Sequence, residues 1–122
     1  MNNHFNFVLF VLITVFITII VYKKLEKFKN PDIKVILFYT NWCKFSQKMM
    51  PIWDDVTRNF SNLENPIISE KYDCDKNQEL CKEYDINVLP TIYLIKNKKK
   101  FKYTDEIDGG QLTNFIMKHA VI

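Results

Sequence analysis

Apolar residues are unevenly distributed along this chain, and their pattern divides it in two. From Phe5 to Tyr22 the run FNFVLFVLITVFITIIVY is interrupted only by Asn6, Thr14 and Thr18 and carries no charge. As a helix rising 1.5 Å per residue, roughly 18 residues reach about 27 Å, close to the thickness of a bilayer core. A cleaved signal peptide is the competing reading. The run is long for that role, no basic segment precedes it, and no small-x-small cleavage site follows it before Lys23. A buried soluble helix fits less well, because every face is apolar. The expectation is one membrane anchor over residues 5–22, through which the protein meets membrane lipid.

Beyond the anchor the periodicity changes repeatedly. After Pro31, DIKVILFY is rich in β-branched and aromatic residues and predicts a buried strand. From Cys43 onward, Phe45, Met49, Ile52, Trp53, Val56 and Phe60 recur at helical spacing, with Pro51 inside the helix and expected to kink it. PIISEKYD, residues 66–73, predicts a second strand. DKNQELCKEYDI predicts a short helix, with Asp75 as its N-cap and Gln78 placed for a capping box. TIYLIK and KFKYT predict a strand pair joined by a Lys-Asn turn. DGGQLTNFIMKHAVI closes the chain as an amphipathic helix with Leu112, Phe115, Ile116 and His119 along one side. The order is strand, helix, strand, helix, strand, strand, helix, an α/β arrangement. Helix-connected strands favour parallel pairing, and the last hairpin adds an antiparallel edge.

Charge changes the picture only locally. The chain has 122 residues and a net charge of +3, too little to argue for nucleic acid. Four lysines, Lys23, Lys24, Lys27 and Lys29, fall directly after the apolar run, so residues 23–31 form a basic juxtamembrane stalk. By the positive-inside tendency this flank stays cytoplasmic. A second cluster, KNKKKFK over residues 96–102, reads first as a solvated hairpin turn and second as a contact for anionic headgroups. The remaining segment, 32–122, is one domain of roughly ninety residues, enough to enclose a core.

The chemistry centres on Cys43, at the junction of the first strand and the first helix of this domain. Free N–H groups and the dipole at a helix start favour the thiolate, the species that attacks disulfides. Three residues on stands Ser46, which can donate a hydrogen bond to that sulfur but cannot attack a mixed disulfide. The competing reading is an inert cysteine in a domain used as a scaffold. The other two cysteines, Cys74 and Cys81, and two distant histidines do not match zinc spacing, so neither a metal nor a cofactor is implied. The triplet Asn59-Phe60-Ser61 is a glycosylation acceptor in a eukaryotic secretory pathway.

The element order, with a Trp-Cys pair ending the first strand, resembles the thioredoxin fold in its minimal form: a four-stranded mixed sheet with flanking helices, here preceded by one transmembrane helix. The match covers about residues 33–119. FYTNWC resembles the active-site entry of thioredoxins and protein disulfide isomerases. Pro51 matches the proline of their active-site helix. NVLPTIYLI is similar to the segment carrying their cis-proline, which implies that Pro90 lies beside the thiol, and that Trp42, Leu89 and Pro90 line the client site. GGQLTNFI resembles their terminal helix.

WCKFSQ is similar to the Cys-Arg-Phe-Ser motif of a disulfide-isomerase relative that retains client proteins through mixed disulfides. The resemblance implies that Cys43 and Ser46 form a single-thiol site that captures or shuffles clients bearing thiols or disulfides, with an external thiol needed for release. A conventional dithiol reductase is disfavoured. Leu37 stands where the family usually buries a carboxylate that serves the second thiol. Several isomerase domains carry a cysteine pair at the place of Cys74 and Cys81, where it can form a structural disulfide; two reduced, packed cysteines are the alternative. A disulfide implies an oxidising compartment, whereas the lysine flank implies the cytoplasm. Capture chemistry tips the expectation towards a lumenal domain. The contrasting functional class is a redox-inactive binding module that holds a peptide or membrane partner near Trp42 and Pro90.

Overall fold

The computed structural model describes residues 2–29 and 33–121. The chain separates into two compact units, Met1–Pro31 and Asp32–Ile122. The first is a single helix, α1 (Asn2–Lys29). The apolar stretch Asn2–Leu25 within it has a mean hydropathy of 2.6 and none of it is buried inside the protein. Phenylalanines, valines, leucines and isoleucines point outward all round it. Such a helix has no amphipathic face to lay on a soluble core. Residues 30–32, which end the predicted stalk and begin the predicted domain, lie outside the described residues.

The second unit contains β1 (Ile33–Tyr39), α2 (Lys44–Ser61), β2 (Ile68–Asp73), α3 (Gln78–Glu83), β3 (Thr91–Lys96), β4 (Lys99–Lys102) and α4 (Gly109–Val121). The strands form one sheet in the order β2-β1-β3-β4. β1 is central and covered on both faces, which is why its sequence is continuously apolar instead of alternating. Val35 and Leu37 face α2 and α4, where Met49, Trp53, Val56, Phe60, Leu112 and Ile116 complete the main core. Ile36 and Phe38 face the other way, towards Cys81 of α3 and the rings of Tyr72, Tyr84 and Tyr93.

β1 and β2 are parallel, as the intervening α2 predicts. β3 departs from the expectation: although α3 connects it to β2, it runs antiparallel to β1. The reason is length. Six residues of helix span only about 9 Å, whereas returning along a seven-residue strand needs about 23 Å. The chain therefore enters β3 at the end of the sheet where β2 stopped. β3 and β4 form the expected hairpin, but β4 starts at Lys99, directly after a two-residue turn. Asn97 and Lys98 both have positive φ, 51° and 66°, the backbone of a type I′ turn.

Two local expectations are corrected. Phe45 is not a core residue: the buried positions of α2 are Ser46, Met49, Trp53, Val56 and Phe60, a clean 3-4-3-4 spacing, and Phe45 lies about 100° round the helix from Ser46. Asp75 does not cap α3. The cap position is Asn77, because Asp73 has already organised the turn: its main-chain carbonyl accepts from the N–H groups of Lys76 and Asn77. The basic hairpin is exposed at residues 97–100, as expected, with Lys100 lying over the rings of Tyr84 and Tyr93 at 5.2 and 5.6 Å and Lys96 donating to the Ala120 carbonyl. α2 itself runs unbroken through Pro51.

Candidate active site

The site is built where β1 ends. Thr40, Asn41 and Trp42 carry the chain from the sheet into α2, and Cys43 is the N-cap residue with extended backbone, φ −77° and ψ 120°. Its thiol makes no geometric capping hydrogen bond, and the first N–H groups of α2 point towards the sulfur as a source of positive potential. The thiol is half-buried and is the one free cysteine among the described residues. Its pKa is lowered. The Ser46 backbone N–H is the largest cause, partial burial opposes it, and the Ser46 hydroxyl and the Phe45 N–H add to it.

Ser46 is completely buried. Its Oγ accepts a hydrogen bond from the Thr40 N–H at 3.3 Å, which leaves the hydroxyl proton for the sulfur. On the other side, the Cys43 Sγ lies 3.8 Å from the Leu89 carbonyl oxygen. The Leu89–Pro90 peptide bond is cis. The structure thus brings together Cys43, Ser46, Leu89 and Pro90 from two regions of the chain. Trp42 stands at the rim, 69% exposed; Phe45, three residues on, and Val88, which precedes Leu89, are each 64% exposed. Leu37 is wholly buried in the main core, an apolar neighbour in β1 of the strand end that carries the site.

Four residues to which the sequence assigned no role at the site hold the loop in place. Gln47 donates from Nε2 to the Asn41 carbonyl at 2.6 Å. Asn41 donates from Nδ2 to Asp73 Oδ2 at 3.2 Å. Asp73 Oδ1 accepts from the Asp75 N–H at 2.9 Å, and Asp75 Oδ2 accepts from the Trp42 indole N–H at 2.9 Å. Their signal in the sequence was the pair of acids around Cys74, one of them at a strand end. Cys74 and Cys81 are joined by a disulfide, with Cα atoms 5.8 Å apart.

The fold agrees with what known proteins show. The thioredoxin family profile matches residues 19–118, and the chain belongs to that family. Human endoplasmic reticulum resident protein 44 is 32% identical over 81 residues, covering 63% of this chain and 20% of that protein. Human protein disulfide-isomerase TMX3 is 31% identical over 81 residues, covering 64% and 18%. This chain thus spans about a fifth of the curated relatives it matches. Among solved structures, human ERp44 superposes with a TM-score of 0.66 at 26% identity, covering 73% of this chain and 25% of that one. Thioredoxin-2, described as a component of malaria parasite protein secretion machinery, superposes at 0.64 with 28% identity, covering 73% and 84%.

Proposed function

We propose that this protein is a membrane-anchored, single-thiol exchange factor acting on client proteins. One observation carries the reading: the only free cysteine among the described residues is a helix N-cap thiol with a lowered pKa, backed by a buried serine in place of a second thiol. The Cys43 thiolate attacks a client disulfide. One S–S bond breaks, a Cys43–client disulfide forms, and the other client sulfur leaves as thiolate. Ser46 cannot reverse this step. Release requires a second thiol, from glutathione or from the client, and then Cys43 departs as thiolate. When the client supplies that thiol, its disulfide has been isomerised with no net oxidation.

The outward-facing apolar helix α1 supports a single membrane span. The domain is assigned to the lumenal side of the secretory pathway. The Cys74–Cys81 disulfide and relatives named as endoplasmic reticulum residents support that side, and the lysine flank argues for the cytoplasm.

Alkylating cells and running non-reducing gels tests the chemistry. The intact protein yields high-mass adducts that collapse on reduction, and Cys43→Ala yields none. Absence of such adducts from the intact protein favours the second reading, a redox-inactive module that holds a peptide. The exposed Trp42, Phe45 and Val88 supply the apolar contacts for that role.

A further inference from the structure

The hydrogen bonds around Cys43 lead to a second sulfur pair. Trp42, immediately before the thiol, is held by Asp75, and Asn41, one residue earlier, is held by Asp73. Between those two acids stands Cys74, whose own N–H donates to the Tyr39 carbonyl at the end of β1, 2.8 Å away. The turn Asp73-Cys74-Asp75 therefore touches the segment before the thiol at three places: Tyr39 at the end of β1, Asn41 and Trp42. The disulfide clamps the middle of this turn to Cys81, the fourth residue of α3. α3 is in turn fixed: the Asp85 N–H bonds the Lys82 carbonyl and the Ile86 N–H bonds the Cys81 carbonyl, closing the helix end.

Resting on the thiol-exchange reading above, we propose that the Cys74–Cys81 disulfide is a positioning clamp for the thiol site, so that the redox state of this pair sets the reactivity of Cys43. In the oxidised protein the turn presents Asp73 and Asp75 to Asn41 and Trp42, and the loop holds Cys43 against the Ser46 and Phe45 N–H groups. Reduction breaks the S–S bond. A dithiol supplies two electrons and two protons and leaves as its own disulfide. The turn is then fixed by hydrogen bonds alone, those to Tyr39 and Asn41 among them, and without the covalent tie to α3 Trp42 loses its partner for part of the time and the sulfur spends less time in the geometry that favours thiolate. Capture at Cys43 becomes slower when the surroundings become reducing enough to open the pair.

The test uses the full chain in detergent. Cys74→Ala/Cys81→Ala and Asp75→Ala are compared with the parent by two readouts: the rate of Cys43 alkylation by iodoacetamide, and the NMR resonance of the Trp42 indole N–H. The protein has two tryptophans, and Trp53 is only 1% exposed, so the Trp42 signal is distinguished by its faster exchange with water. In each variant alkylation falls about threefold at neutral pH, since only the thiolate reacts. The indole signal moves upfield as its bond to the carboxylate is lost. The triple variant is no slower than the slower parent variant, because both changes act through one chain of contacts. Leu112→Ala, which opens a cavity beneath α4, controls for simple loss of stability and leaves both readouts unchanged. Unaltered alkylation and indole signal in Cys74→Ala/Cys81→Ala overturns the clamp, as does full additivity with Asp75→Ala. A parent protein whose Cys43 does not react at all overturns the exchange reading instead.

Discussion

The Cys43 sulfur and the Leu89 carbonyl oxygen lie 3.8 Å apart although 46 positions separate them in sequence. The first ends the loop after the central strand, and the second precedes the cis Pro90 that leads into the neighbouring strand. A thiol in this place can donate to a carbonyl while protonated and accept from Ser46 once ionised. The attacking and resting forms of the sulfur therefore have different partners in one rigid frame.

Replacing Ser46 by Cys converts the site towards dithiol chemistry. A second sulfur at the buried end of the first helical turn attacks the Cys43–client bond, expels the client, and leaves a disulfide between positions 43 and 46. Adducts on non-reducing gels decrease, and mass spectrometry of trapped protein finds the new bond. The conversion is incomplete, because Leu37 offers no proton acceptor for the second thiol. Undiminished adducts with no such disulfide would falsify the placement of Ser46 behind the sulfur.

The lowered pKa of Cys43 sets the pH profile of its alkylation. The rate rises with pH along a titration whose midpoint lies below that of a free thiol. Ser46→Ala moves the midpoint upward only part of the way, because the larger cause is the backbone N–H, which remains. It also removes the acceptor of the Thr40 N–H, a cost of about 1–3 kcal/mol in denaturant unfolding. The sign for stability follows from the same shift. A folded-state pKa below the unfolded one adds stability above the unfolded pKa, and this contribution disappears as pH falls through the folded value.

Tyr103 predicts the opposite behaviour at alkaline pH. Burial is the main reason its pKa is pushed up to about 12, with Asp105, Asp108 and Glu106 contributing in that order. The folded state keeps the phenol proton while the unfolded state releases it above about 10. The associated stability is complete below the unfolded pKa and is lost as pH rises through the folded one. Thermal unfolding followed from neutral pH upward shows this loss, and Tyr103→Phe flattens it. At neutral pH that variant is about 1 kcal/mol less stable, because Tyr103 no longer donates to the Glu106 carbonyl.

Compartment has two independent readouts. Asn59 is exposed near the end of α2, and Cys74 and Cys81 are bonded. A glycan on Asn59, removed by deglycosidase, marks a lumenal protein, in which thiol labelling of freshly alkylated cells finds no free Cys74 or Cys81. A fully reduced pair in those cells excludes the lumenal assignment. A bare Asn59 alone does not carry that weight, since a triplet within a helix is a poor acceptor once folded.

Much of this protein was determined by local pattern. The uninterrupted apolar run of α1, the two-sided apolar run of β1, the 3-4 spacing in α2 and the Asn-Lys turn each depend on residues close in sequence, where period and turn chemistry act directly. Motif order placed Cys43, Ser46, Leu89 and Pro90 together because FYTNWC and NVLPTIYLI are recognisable as strings. What only the tertiary structure decided are relations between distant groups. The direction of β3 depended on how far six residues of α3 can carry the chain. Phe45 and Ser46 differ by one position, and only the location of the sheet says which turns inward. Asp75 read as a helix cap because its best partner, the Trp42 indole, is 33 positions away, and a side-chain hydrogen bond across that distance leaves no periodicity behind it. The thiol and its Ser46, Leu89 and Pro90 neighbours were legible in the sequence, and the acids that hold its loop, Asp73 and Asp75, were not, because a carboxylate's partner is chosen by three-dimensional proximity after the core has packed.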